Sequence, residues 1–202
     1  NLINNFISDK DLGGLNVTIP YKEVIIPYLD ELSHEAKEIG AVNTICFENN
    51  KRIGHNTDIF GFTESLKVNS INNIDAMIII GSGGAAKTII YFCKKNKIPF
   101  NIISRKNSKD YLSYRDIDHS FFRGNVLIVN CTPVGTYPNI NKCPDLPYNL
   151  VEKENILYDL VYNPSETLFI KKGKEIGCKT LNGYEMLKFQ AEMSWNLWTK
   201  ST

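Results

Sequence analysis

Two hydrophobic patterns divide the chain. Up to residue 68 the apolar positions form short runs, which predict a strand, broken helical pieces, a hairpin and a helix. These segments are Leu15–Ile19, Val24–Gly40, the hairpin of Ala41–Glu48 with Arg52–His55, and Asp58–Val68. Pro27 interrupts the second segment, whose later part has a typical N-cap residue in Ser33 and a typical stop in Gly40.

After the polar connector at 69–73 the pattern becomes an alternation of strands and helices. Ala76–Ile80 is a continuous apolar run, as in parallel strands that are covered on both faces. Glycines, a helix to about Lys95 and a second strand follow it, which predicts a βαβ unit and an α/β fold. The remaining predicted segments are the strands Phe100–Ile103, Val126–Val129, Ile156–Leu160 and Lys179–Leu181, and the helices Glu166–Ile176 and Tyr184–Trp198.

Composition favours a globular protein that acts on a small molecule. The 202 residues are 43% hydrophobic and 22% charged, with a net charge of +1 and no long basic tract, so neither nucleic acid nor a membrane is an expected partner. Five scattered cysteines without a C-x-x-C pair, and three distant histidines, suggest neither disulfides nor a metal site. No apolar run is long enough to span a bilayer, and we expect a cytoplasmic location.

The stretch GSGGAAK, which begins at Gly81, predicts a dinucleotide site. Gly81 permits a tight turn, Gly83 lets the backbone approach a pyrophosphate, and Ala86 allows the helix to pack closely on the sheet. The helix N-terminus supplies free N–H groups to the phosphates. Strand-to-helix turns also use glycine for structural reasons alone, but here the strand, the helix and the second strand all lie where a dinucleotide site requires them.

The end of the second strand, ISRKNSK, favours NADP over NAD. NAD sites usually carry a carboxylate here for the ribose hydroxyls, whereas this segment offers Ser104, Arg105, Lys106 and Lys109 before Asp110. A guanidinium can hold a 2′-phosphate bidentately, and a lysine adds a point charge. A solvated basic loop is the alternative interpretation.

Three further segments place polar groups after predicted strands. NCTPVG, residues 130–135, puts Asn and Thr at the carboxyl edge of the sheet, although a simple Asn-capped turn would also explain them. Lys22 follows TIPY, and Asp58 ends HNTD and opens a helix. A Lys and an Asp are more often a surface ion pair than a catalytic pair, and spacing alone does not bring them together.

The order of the motifs resembles that of shikimate dehydrogenases. The matching motifs are NVTIPYK (16–22), GAVNT (40–44), HNTD (55–58), GSGGA (81–85), NCTPVG (130–135), YDLVYNP (158–164) and NGYEMLKFQA (182–191). The resemblance implies a substrate-binding domain at 1–68, an NADP-binding Rossmann domain at 69–183, and a C-terminal helix at 184–202 that returns to the substrate domain. Family members also begin with a Ser-x-Ser motif. Nothing before Asn16 matches it, so we expect a truncated substrate domain without that segment.

The resemblance also implies roles for individual residues. It makes Lys22 and Asp58 the catalytic pair, and assigns substrate contacts to Thr18, Asn43, Tyr162 and Gln190. Its cofactor contacts, which agree with the reasoning above where the two overlap, are Gly81, Ser82, Gly83, Gly84, Ala85, Ser104, Arg105, Lys109, Thr132 and Gly183.

The implied activity is the reversible NADPH-dependent reduction of 3-dehydroshikimate to shikimate in chorismate and aromatic amino acid biosynthesis. Lys22 would donate the proton and Asp58 would hold the ammonium in place. A quinate or aminoshikimate dehydrogenase and a non-catalytic binding module are the alternatives. The expected partners are the substrate and the cofactor, in a monomer or homodimer, without a metal.

Overall fold

The computed structural model describes residues 12–105 and 109–200, the side chain of Lys200 excepted. These residues do not include Lys106. They also do not include residues 1–11, which form most of the stretch without a Ser-x-Ser match. Within them the chain forms two sheets, and none of the helices described is long and apolar enough to cross a membrane.

The first sheet is a small mixed one, with strand order β1-β3-β4-β2. Its elements are β1 Gly14–Asn16, β2 Glu31–Leu32, α1 His34–Ile39, β3 Thr44–Glu48 and β4 Lys51–His55. Strand β3 pairs antiparallel with β1 and β4, and β2 pairs parallel with β4. The predicted hairpin is confirmed, but its first strand begins at Thr44 rather than at Ala41, and its loop has two residues, Asn49 and Asn50, both at positive φ. Asn adopts this conformation more readily than most residues.

Two predictions for this region need correction. Strand β1 ends at Asn16 rather than at Ile19, because the Tyr21 N–H donates to the Thr18 carbonyl and closes a turn at Ile19 and Pro20, and Pro20 has no N–H to donate to a neighbouring strand. Strand β2 was not predicted; it lies in the segment expected to be helical. The helix after it is confirmed, since the Ser33 Oγ accepts from Ala36 N at 3.2 Å and Gly40 ends the helix at φ +68°.

The second sheet is parallel throughout, with strand order β6-β5-β7-β8-β9. The elements of this part are α2 Asp58–Val68, β5 Ala76–Ile80, α3 Gly84–Asn96, β6 Phe100–Ile103, β7 Val126–Asn130, β8 Ile156–Asp159, α4 Leu168–Ile176, β9 Lys179–Leu181 and α5 Tyr184–Lys200. From β5 the chain runs to β6 on one side and then to β7 on the other. Ligands of open α/β sheets bind at such a reversal, outside the carboxyl ends of the strands. The predicted α/β class with a Rossmann-type sheet is confirmed.

Helix α2 joins the two parts of the molecule. Its first residue follows the small sheet, whereas Phe62 packs against Phe92 of α3 and Tyr158 of the large sheet, at ring-centroid distances of 5.1 and 5.5 Å. Gly61 lets α5 cross α2 closely, since a Cβ there would lie 2.5 Å from the Met186 carbonyl oxygen. This packing fixes the N-terminus of α2, where Asp58 lies.

Candidate active site

A cleft of about 650 Å³ lies at the carboxyl ends of β5, β6 and β7. One wall is the glycine turn after β5 together with the segments that follow β6 and β7. The segment from Ile19 to Glu23 forms the facing wall. The cleft therefore lies at the strand reversal and places Lys22 opposite the glycine turn.

Lys22, which lines this cleft, contacts Asp58. The Lys22 Nζ donates to the Asp58 Oδ2 at 2.5 Å, and only 14% and 7% of the two side chains are exposed. The Lys22 carbonyl accepts from Val42 N at 2.8 Å, and a Cβ on Gly84 would lie 3.1 Å from the Lys22 Cβ. The pair is thus buried and in contact with the start of α3, unlike an exposed ion pair.

Asn43 and Gln190 complete a polar cluster around the carboxylate. The Asn43 Oδ1 accepts from Thr57 N at 2.6 Å, which turns the Asn43 Nδ2 toward the Asp58 Oδ1 at 3.0 Å and the Gln190 Oε1 at 3.1 Å. The other two predicted substrate residues lie apart. Thr18 is on the exposed turn before Lys22, and Tyr162, 49% exposed, follows β8. Among the described contacts, neither side chain hydrogen-bonds to this cluster.

A layer of buried hydroxyl groups behind this cluster was missed from the sequence. The Ser194 Oγ on α5 lies 2.7 Å from the Thr44 Oγ1 and 3.1 Å from the Thr57 Oγ1, and it donates to the Gln190 carbonyl at 2.9 Å. These contacts hold α5 against the small sheet and so fix Gln190. The signal was present, because Ser194 is four residues after Gln190 and so lies on the same face of the helix.

The glycine turn suits a pyrophosphate. Gly81 has φ +112°, a conformation that favours glycine, and Gly83 caps α3 in extended conformation. A Cβ on Gly83 would meet no atom within 4 Å, so this backbone borders open space. The free N–H groups of the first turn of α3 are therefore accessible to an anion from the cleft.

The other predicted cofactor residues differ in position. Ser82 and Ser104 face each other, with their hydroxyl oxygens 3.2 Å apart, and Arg105 and Thr132 line the cleft. Lys109 is exposed and does not line it. In the described structure, then, Arg105 is the cation at the β6 end of the cleft.

Close packing explains why residue 183 is a glycine. A Cβ there would lie 2.1 Å from the Leu160 carbonyl oxygen, and the Gly183 N–H donates to the Val161 carbonyl at 3.2 Å. The residue therefore allows the chain before α5 to lie against the end of β8. Its predicted contact with the nicotinamide end of the cofactor stays a prediction.

Similarity to known proteins extends over nearly the whole chain. The family model of the shikimate dehydrogenase substrate binding domain matches residues 1–45. A shikimate dehydrogenase (NADP(+)) of Methanococcus vannielii is 38% identical over 221 residues, which cover 98% of this chain and 77% of that protein. The chain belongs to the shikimate dehydrogenase family.

Solved structures agree with this family membership. The crystal structure of shikimate dehydrogenase 1 from Peptoclostridium difficile is 38% identical with a TM-score of 0.86, and the match covers 100% of this chain and 76% of that one. Shikimate 5-dehydrogenase from Thermus thermophilus, in complex with NADP(H) and shikimate, is 29% identical with a TM-score of 0.86, over 98% and 77% of the two chains.

Proposed function

We propose that this chain catalyses the reversible NADPH-dependent reduction of 3-dehydroshikimate to shikimate, a step of chorismate biosynthesis. The observation that carries the proposal is the buried Lys22–Asp58 pair, which lies beside a glycine turn suited to a pyrophosphate. The relatives named shikimate dehydrogenase (NADP(+)) support the substrate and the cofactor. They do not favour a quinate or aminoshikimate dehydrogenase or a non-catalytic module.

Lys22 is the proposed proton donor. NADPH, when bound, supplies a hydride to the carbonyl carbon of 3-dehydroshikimate. The carbonyl oxygen gains the electron pair of the broken π bond, and the Lys22 ammonium gives it a proton and stabilises its developing charge. Asp58 holds that ammonium by a 2.5 Å hydrogen bond. Solvent then returns a proton to the Lys22 amine, and the reverse reaction uses the same amine as the base.

Asn43 and Gln190 are the proposed ligands of the substrate hydroxyl groups. Both are amides held by hydrogen bonds to the protein. Asn43 donates to the Asp58 carboxylate and to Gln190, and Gln190 donates to the Leu187 carbonyl. Fixed amides bind hydroxyl groups specifically, because an analogue without the hydroxyl leaves them unpaired. We extend the proposal to Thr18 and Tyr162 from the family resemblance alone.

For the cofactor, we propose that the backbone of Gly81 to Ala85 binds the pyrophosphate and that Ser104 and Arg105 bind the 2′-phosphate. The position of Arg105 in the cleft supports this role, whereas Lys109 enters the proposal only from its place in the sequence. Thr132 and Gly183 are proposed for the nicotinamide end.

We also propose that different parts of the chain bind the substrate and the cofactor. Residues 1–68 and 184–202 would bind the substrate and residues 69–183 the cofactor, which the separation into a small mixed sheet and a large parallel sheet supports. The cytoplasmic location stays a prediction, to which the five free cysteines lend support. The monomeric or homodimeric state and the lack of a nucleic-acid partner also stay predictions.

A substrate panel tests the proposed reaction. Purified protein is assayed for NADPH oxidation with 3-dehydroshikimate, and for the reverse reaction with shikimate or quinate and either NADP⁺ or NAD⁺. We expect turnover with the shikimate pair and NADP(H). Turnover with quinate and NAD⁺ only, or binding of NADPH without any turnover, would contradict the proposal.

A further inference from the structure

Asp159 is a buried carboxylate without a cationic partner among the described residues. It ends β8 and is 0% exposed. Its Oδ1 accepts from Asn130 Nδ2 at 2.9 Å and from Val161 N at 3.1 Å, and its Oδ2 accepts from Thr167 Oγ1 at 2.5 Å. Three neutral donors thus take the place of an ion pair.

These donors connect Asp159 to the cleft. The Asn130 Oδ1 accepts from the Thr132 N–H at 3.1 Å and from the Thr132 Oγ1 at 2.6 Å, so the Asn130 amide nitrogen must face Asp159. Thr132 in turn lies against the glycine turn, since its Cγ2 is 3.0 Å from the Cβ position of Gly81. A chain of hydrogen bonds and contacts therefore runs from Asp159 to the cofactor side of the cleft.

The same carboxylate also fixes the neighbouring turn. Val161 donates its N–H to Asp159 and accepts at its carbonyl from the Gly183 N–H. The Leu160 N–H donates to the Asn130 carbonyl at 3.0 Å. Asp159 thus holds in register the two turns that carry Thr132 and Gly183, the residues proposed for the nicotinamide end.

The negative charge of Asp159 is unfavourable for folding. Burial raises its pKa to about 6, in opposition to the three hydrogen bonds, which lower it. Among the described residues, the titratable groups that face it are Cys131 and Tyr148; burial raises the pKa of both, so both are neutral at neutral pH and neither supplies a positive charge. A neutral Asn would fill the same space without the desolvation cost, which suggests that the carboxylate serves function rather than stability.

We propose that Asp159 is a positioning residue for the cofactor, which acts through Asn130 to hold Thr132 against the glycine turn at the nicotinamide end of the site. The inference rests on the proposed function, because it takes NADPH as the ligand of the cleft. Asp159 itself is not among the described residues that line the cleft.

The variant Asp159→Asn keeps the shape and removes the charge. Its Oδ1 can still accept from Asn130 and Val161, and its new amide N–H groups face Thr167. The bonds from Asn130 and Val161 become weaker, because their acceptor is no longer charged. We expect the dissociation constant of NADPH to rise about tenfold, or about 1.4 kcal/mol. We expect the KM for the ketone substrate to stay within about twofold, because Asp159 has no contact with that side of the cleft.

Thermal unfolding supplies a readout that a merely structural residue would not give. The folded pKa of Asp159 lies above its ordinary value of 3.8, so its contribution to stability is lost as the pH rises through about 6. At pH about 8 the variant should therefore unfold at a higher temperature than the wild type, with a difference that shrinks toward pH about 4. Higher stability together with weaker NADPH binding is the expected signature.

Two further variants complete the test. Glu175→Gln, an exposed carboxylate-to-amide change on α4, should alter neither readout. Thr132→Val, which removes the hydroxyl bonded to Asn130, should weaken NADPH binding as Asp159→Asn does, and the double variant should bind no more weakly than the worse single one.

Each other outcome overturns the inference. Unchanged NADPH affinity in Asp159→Asn, lower stability at pH about 8, or additive losses in the double variant would each contradict it. A wild-type protein that fails to bind NADPH would refute the proposed function itself, and this inference with it. Should Asp159→Asn fail to fold, the carboxylate is structural and the inference is equally wrong.

Discussion

Replacement of Lys22 by Met removes the ammonium and keeps most of the bulk of the side chain. General acid catalysis contributes roughly 10² to 10⁴-fold, and stabilisation of a developing oxyanion is of similar size. Because one ammonium supplies both, we expect turnover to fall at least about 10³-fold, or about 4 kcal/mol. The KM for the ketone substrate should change little, since Asn43 and Gln190 remain. The loss of NADPH absorbance with time measures both parameters.

The same variant should also lose stability. Asp58 is 7% exposed, and without Lys22 its carboxylate keeps, among the described residues, only the side-chain hydrogen bond from Asn43. Removal of one partner of a buried ion pair typically costs about 3–5 kcal/mol. Chemical denaturation of the wild type and the variant, with the midpoint and slope fitted together, measures this cost.

The double variant Lys22→Met with Asp58→Asn separates the two effects. The amide that Asp58→Asn introduces is neutral and can still accept from Asn43, so most of the lost stability should return. Turnover should stay low, because no proton donor has been restored. Turnover of the double variant within about tenfold of the wild type would refute the catalytic role of Lys22, as would a single variant with full turnover.

Three further predictions concern the cofactor and the pH dependence of stability. Arg105→Ala should lower the preference for NADPH over NADH, measured as the ratio of kcat/KM values, about tenfold or more; an unchanged ratio would remove Arg105 from the site. Gly83→Ala should weaken NADPH binding without loss of stability, because its Cβ would project into open space, whereas the control Gly61→Ala should destabilise the protein by about 1–3 kcal/mol; NADPH binding by Gly83→Ala as tight as that of the wild type would contradict this. Burial lowers the pKa of His55 below 6.5, so wild-type stability should be lost as the pH falls through that folded-state pKa. Thermal unfolding of His55→Gln should show a smaller loss, and an equal loss would assign the effect elsewhere.

Local sequence signals were sufficient for most of the large sheet. Ala76–Ile80, Phe100–Ile103 and Lys179–Leu181 have the predicted bounds, because each apolar or β-prone run is bounded by glycine, proline or polar residues. Helix α4 starts at Leu168, two residues later than predicted, since the Thr167 Oγ1 accepts from Ile170 N and caps it.

Non-local contacts explain what the sequence did not reveal. Strand β2 has two residues and exists through its parallel pairing with β4, which no periodicity can report. Lys22 and Asp58 were candidates from their places in motifs, but 36 residues separate them and only the fold brings them into contact. The isolation of Asp159 from any cation among the described residues depends in the same way on what surrounds it in space.

The proposed reaction requires above all that the Lys22 ammonium face a nicotinamide whose pyrophosphate lies on the glycine turn after β5. A crystal structure of the protein with NADP⁺ and shikimate tests this arrangement most directly. We expect the pyrophosphate on the backbone N–H groups of residues 83–85, and the Lys22 Nζ about 3 Å from the oxygen of the reacting carbon. A dinucleotide bound elsewhere, or a Lys22 that remains bound only to Asp58 and out of reach of shikimate, would contradict it.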